Sequence, residues 1–232
     1  MTRIFLVTCL LLTIVGARMN GQDSGSKIVS FLVNKNPKPN IPEFGVPEFP
    51  QDYDWTEYQR VIEVLKGASS KIDDESWKEL REHLEDERYC TTVTTQNGKT
   101  INLTIGLVCR NLAAETLWAG YSNKIEPSRF EDRLKLRRLA GFKGLGDMKL
   151  LIEKSKNMSV YQLQILTCRE ALKNADDLDL PEGERQAWKK QIRLNLEELE
   201  KSGKATKPKW FGPEQFEIFS KSIVERLRAS DR

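Results

Sequence analysis

The residues best suited to chemistry are few and badly placed for it. His83 is the chain's single histidine, and its neighbours are carboxylates: Glu82, Glu85 and Asp86. A Ser-His-Asp or Cys-His device needs a base beside a nucleophile, and no signature around His83 supplies one. The four cysteines form no Cys-x-x-Cys pair, and the chain has neither His-Glu-x-x-His nor an acidic calcium loop of the right spacing. Gly141-Phe142-Lys143-Gly144-Leu145-Gly146 has the glycines of an anion-binding loop but lacks the Gly-Lys-Ser/Thr ending, and no strand pattern precedes it. It reads as a turn between helices. The sequence therefore predicts no catalytic residue, no metal and no cofactor, and a protein that is not an enzyme.

What remains is the chemistry of export. Met1-Thr2-Arg3 supplies a positive charge, Ile4 to Val15 is almost wholly apolar, and Val15-Gly16-Ala17 has small residues at a cleavage position. Residues 1–17 are expected to be a secretory signal peptide, which makes the protein extracellular. Twelve apolar residues span ~18 Å as helix, short of the ~30 Å hydrocarbon core, and no later run reaches membrane-spanning length. Behind a signal, Asn102-Leu103-Thr104 and Asn157-Met158-Ser159 become glycosylation acceptors. Asn102 is the favoured one, on an expected exposed strand.

Cleavage leaves Cys90, Cys109 and Cys168, so one bond and one spare thiol are expected in an oxidising compartment. Cys90–Cys109 is the favoured disulfide, because each cysteine stands where the insert joins a helix. It would close a loop of about twenty residues, contributing roughly 3 kcal/mol on the chain-entropy model. Cys109–Cys168 is the rival pairing. A buried Cys168 would leave a monomer.

Charge is segregated along the chain. Residues 73–87 carry eight acids and two bases, whereas Lys124 to Lys156 holds ten bases and five acids. The blocks either neutralise each other or leave Lys135, Arg137, Arg138 and Lys143 as an anion-binding surface for an acidic protein or a glycosaminoglycan. The whole chain has formal charge +3, too near neutrality for a dedicated nucleic-acid binder. The tryptophans Trp55, Trp77, Trp118, Trp188 and Trp210 recur through the helical part. They read as core, or as the lining of a cavity for an apolar small ligand.

The elements that must position these residues follow from periodicity. Residues 18–51 are expected to be an extended, proline-rich arm or linker, with five prolines between Pro37 and Pro50. It either docks on a partner or lies on its own domain through Phe44 and Phe49. Residues 52–232 are expected to be an all-α domain of about seven helices, interrupted at 90–109 by a β-hairpin that turns at Asn97-Gly98.

Asp54 and Asp73 or Asp74 are expected to cap helices, Leu107 to Tyr121 to form a central one, and Pro127-Ser128 to open a run to Leu139. Asp147 caps a run to Lys156, Ser159 one reaching Leu172, Pro181 one closed by Gly203, and Pro213 opens the last. The expected core is Trp55, Val61, Leu65, Leu80, Leu84, Leu112, Trp118, Leu134, Leu163, Leu166, Ile192, Leu196, Phe219 and Ile223.

In general character, a signal and a charged helical body with few cysteines, the chain resembles secreted effectors of parasites and salivary or venom proteins of arthropods. That likeness of type assigns no residue roles. The expected function is a secreted, non-catalytic binding or effector protein. The alternative is a carrier of an apolar ligand.

Overall fold

The computed structural model describes residues 28–43, 46–95, 98–122, 139, 150–153, 156–208 and 216–230. They are mostly helical: α1 (Ile28–Leu32), α2 (Trp55–Ala68), α3 (Asp74–Glu82), α4 (Ile105–Ser122), α5 (Val160–Asn174), α6 (Glu182–Ser202) and α7 (Lys221–Ser230). Three strands accompany them: β1 (Tyr89–Thr95), β2 (Thr100–Thr104) and β3 (Phe216–Ile218).

Several helix ends sit where side-chain chemistry puts them. The Asp54 carboxylate accepts from the Thr56 and Glu57 N–H groups, and Asp73 accepts from Ser76. Ser159 and Gln162 form a reciprocal capping box. Gly203 closes α6 at φ +63°, a left-handed conformation that glycine adopts without Cβ strain. Such caps are each worth about 1 kcal/mol.

The hairpin forms between α3 and α4 as expected, but one residue out of the expected register. A two-residue turn at Asn97-Gly98 would put Val93 opposite Asn102. Instead Thr92 faces Asn102 and Val93 faces Ile101. Thr95 donates to the Lys99 carbonyl, Gly98 donates back to Thr95, and Gly98 takes φ +78°. This is the wider loop that ends in a left-handed glycine. A one-residue slip exchanges faces, and here it brings the Thr92 hydroxyl to the Asn102 side chain.

Two expectations need correction. The hairpin is not the whole sheet, because β3 pairs antiparallel with the other edge of β1, giving the order β2-β1-β3. The expected helix from Pro213 therefore gives way to a strand at 216–218, and the helix starts at Lys221. Ser220 sets that start, its hydroxyl accepting from Ile223 N–H and its carbonyl from Val224 N–H. Nor is all of 18–51 extended. Ile28–Leu32 is a helical turn whose Ile28, Val29 and Leu32 are buried, a burial that favours helix over the extended form.

Among the described residues the core forms three clusters. The largest gathers α1, α2, α3, the hairpin and the first part of α4 around Leu65, Trp77, Leu80, Leu103 and Leu112. A second, around Tyr121, Cys168, Trp188 and Ile192, joins α4, α5 and α6, and Trp118 packs against both. The third is aromatic: Phe49, Tyr53, Tyr58 and Phe219, with Trp55 against them.

Of the expected core, Val61, Leu65, Leu80, Leu84, Leu112, Leu163, Ile192 and Phe219 are buried. Trp55, Trp118, Leu166, Leu196 and Ile223 are half-buried, and Leu134 lies outside the described residues. On α6 the inward stripe runs through Asn195 rather than Leu196, because the Asn195 amide donates to the Tyr121 carbonyl at 2.6 Å.

Candidate functional site

His83 stands at the C-terminal end of α3, where the chain turns toward β1. Its Nδ1 lies 3.0 Å from Asp86 Oδ2, and the Arg88 side chain holds both oxygens of the same carboxylate. The Arg88 guanidinium draws the Asp86 carboxyl down to about 2, against the opposing effect of its burial. The backbone of the turn is fastened too, for Gly106 N–H donates to the Asp86 carbonyl at 2.7 Å and Ile105 N–H to Arg88 at 2.9 Å. A Cβ at Gly106 would stand 2.8 Å from Asp86 N and Leu84 O, so α4 reaches this turn only with glycine there. A carboxylate on Nδ1 can orient an imidazole for proton transfer. Here the same carboxylate also holds Arg88 and anchors the turn.

The thiols point inward. Cys90, Cys109 and Cys168 are all buried and all free, so the expected Cys90–Cys109 disulfide is not formed. Cys90 belongs to β1 and Cys109 to α4, and both side chains fill the largest core cluster rather than bracing the hairpin base. Burial pushes each of the three thiols up to about 12, far from the thiolate a nucleophile requires.

A largely half-buried polar network that sequence reading missed ties the proline-rich segment to the sheet. The Tyr53 and Tyr89 hydroxyls lie 2.9 Å apart, and Tyr89 meets Thr92 Oγ1 at 2.7 Å. Thr92 donates to Asn102 Oδ1, and Asn102 Nδ2 donates to the Pro39 carbonyl. Asn36 holds Asp54 from both sides: its Nδ2 donates to the Asp54 carbonyl and its Oδ1 accepts from Asp54 N–H, each at 2.8 Å. Tyr58 donates to the Thr92 carbonyl and accepts from Phe219 N–H, both at 3.0 Å. Burial raises all three phenols above the ordinary tyrosine range. The helical spacing of Trp55, Tyr58, Val61, Ile62 and Leu65 turns Tyr58 inward, but nothing in the sequence pointed to the hydrogen-bond partners that make up this network.

The acidic block is put to work by the fold. Asp73 caps α3, Asp74 accepts from Val160 N–H, Glu79 from Val29 N–H, and Asp86 takes Arg88 and His83. The sequence-predicted anion-binding residues Lys135, Arg137, Arg138 and Lys143 lie outside the described residues. The two acceptor asparagines are placed differently: Asn102 is half-buried and hydrogen-bonded, whereas Asn157 is exposed in the turn before α5. Among the described residues no group of His, Cys, Asp and Glu is arranged to hold a metal ion, and no helix is long and apolar enough to cross a membrane. No family model, no curated protein and no solved structure matches the chain.

Proposed function

We propose that this is a secreted binding or effector protein that works without catalysis, engaging an acidic protein or a sulfated glycosaminoglycan through its basic segment. The observation that carries the reading is the excess of ten Lys and Arg over five Asp and Glu between Lys124 and Lys156. Such a block attracts polyanions through summed charge rather than through one specific contact.

Two features of the fold support it. Four carboxylates of the acidic block, the natural internal counter-charge, are engaged at helix ends, by backbone N–H groups of other segments, or by Arg88. The three described thiols and the phenols of Tyr53, Tyr58 and Tyr89 are occupied in holding the core. The apolar-carrier reading gains no comparable support. Phe49, Tyr53, Trp55, Tyr58 and Phe219 pack ring on ring with centroids 4.9–6.2 Å apart, so these aromatics fill their own space.

Heparin chromatography tests the proposal. The protein should elute above physiological salt, and neutralising Lys135, Arg137 and Arg138 together should bring elution to or below it. Elution of the unaltered chain at or below physiological salt, or retention unaffected by the triple substitution, would count against it.

A further inference from the structure

Asn102-Leu103-Thr104 and Asn157-Met158-Ser159 both fit the acceptor pattern, but the fold treats their amides differently. Asn102 sits on β2, half-buried, with Oδ1 accepting from Thr92 Oγ1 at 2.6 Å and Nδ2 donating to the Pro39 carbonyl at 2.9 Å. Pro39 is itself buried, so the nitrogen that would carry a sugar lies beneath the proline-rich segment. A glycan there would replace one of its two N–H hydrogens with a group much larger than the space at that contact. Asn157 occupies an exposed turn between the helical residues 150–153 and α5. No hydrogen bond among the described residues uses its amide. The turn itself is pinned from both sides, by Arg81 donating to the Lys156 carbonyl at 2.9 Å and by the Ser159 capping box. A glycan at Asn157 would leave these contacts untouched.

We propose that the folded, exported protein carries its N-linked oligosaccharide on Asn157 and leaves Asn102 unmodified, an assignment that rests on the proposed secretion. The donor is an oligosaccharide linked through diphosphate to a lipid. Asn157 Nδ2 forms a bond to the anomeric carbon, the carbon–oxygen bond to phosphate breaks, the electron pair leaves with the lipid diphosphate, and one amide proton is lost. Transfer acts on the unfolded chain, where both triplets are accessible. The selection falls on folding, because a chain modified at Asn102 cannot close the contact with Pro39.

The test is glycopeptide mapping of the full, unmutated chain exported by eukaryotic cells, with isotope-labelled enzymatic deglycosylation to mark each occupied asparagine. The expected result is one glycan, at Asn157. Asn157→Gln should abolish the glycosidase mobility shift, and Asn102→Gln should preserve it. Occupancy at Asn102 in exported protein, or export with no glycan, would overturn the assignment. A second version, with an established export leader in place of residues 1–17, separates the two ideas. If only that version leaves the cell, the secretion reading fails and its glycopeptide map still decides the site.

Discussion

Asp86 accepts from the Arg88 side chain, the Arg88 backbone and His83 at once, with 11% of its side chain exposed. Its folded-state acidity is drawn down to about 2 from the ordinary carboxylate value. A depressed carboxyl stabilises the fold above its unfolded pKa and loses that contribution as pH falls through the folded value. The relevant window is therefore pH ~4 to ~2. Asp86→Asn should lower stability by about 1–2 kcal/mol at pH 7, the scale of charge-assisted hydrogen bonds less their solvent screening. Urea midpoints at pH 7, 4 and 2.5 should show the gap to wild type narrowing toward the lowest pH; a constant gap would contradict the pairing. At this scale the sequence misled as well as informed. Cys90 and Cys109 stand at the two junctions of the insert, which suggested a staple. Yet a strand residue can face either side of its sheet, and spacing alone does not say that both thiols turn into the core.

Helix α5 shows what one buried amide can organise. Gln164 Nε2 donates to the carbonyls of Thr116 on α4 and Thr206 beyond α6, while its Oε1 accepts from Thr206 N–H, all at 2.7 Å. Gly120 permits this closeness, since a Cβ there would come within 2.8 Å of Gln164 Cβ. The segment after α6 is thus held as by a neighbouring strand, and Lys207 ties it onward to the Ser70 carbonyl. Gln164→Leu keeps the approximate volume but orphans the Thr206 N–H. It should cost about 2–4 kcal/mol and raise hydrogen exchange at Thr206 selectively; unchanged protection of that amide would contradict the clasp. Element boundaries were legible where capping chemistry is local, as at Asp54, Asp73, Ser159 and Gly203. They were illegible at 216–218, where the apolar spacing of Phe216, Phe219 and Ile223 reads as helix. The free edge of β1, a partner more than a hundred residues away, decides for strand. The register of the hairpin was lost for a related reason, since Asn-Gly is compatible with more than one loop length.

Across the molecule, the proline-rich segment and the C-terminal β3–α7 unit converge on one aromatic cluster, and Tyr58 is its node. Its ring is fully buried, lies 5.6 Å from Trp55 and 6.2 Å from Tyr53, and shares the cluster with Phe49 and Phe219. Its hydroxyl donates to Thr92 in β1 and accepts from Phe219 just beyond β3. Periodicity placed Tyr58 on the inner face of its helix, but not its partners, which lie 34 and 161 residues away. The basic block that carries the proposed function, in contrast, was legible only as composition. Tyr58→Phe preserves the packing and removes both hydrogen bonds, leaving the buried Phe219 N–H and Thr92 carbonyl unpaired there. Each orphaned group costs about 1–3 kcal/mol, so the variant should lose about 2–4 kcal/mol, a fall of roughly 5–10 °C in Tm for a chain of this size. Because the lost contacts join distant segments, exchange should rise first at Phe219 and through Lys221–Ser230, while α5 and α6 keep their protection. A variant that loses stability without that local rise, or that matches wild type in Tm, would show that the aromatic packing alone secures the C-terminal unit.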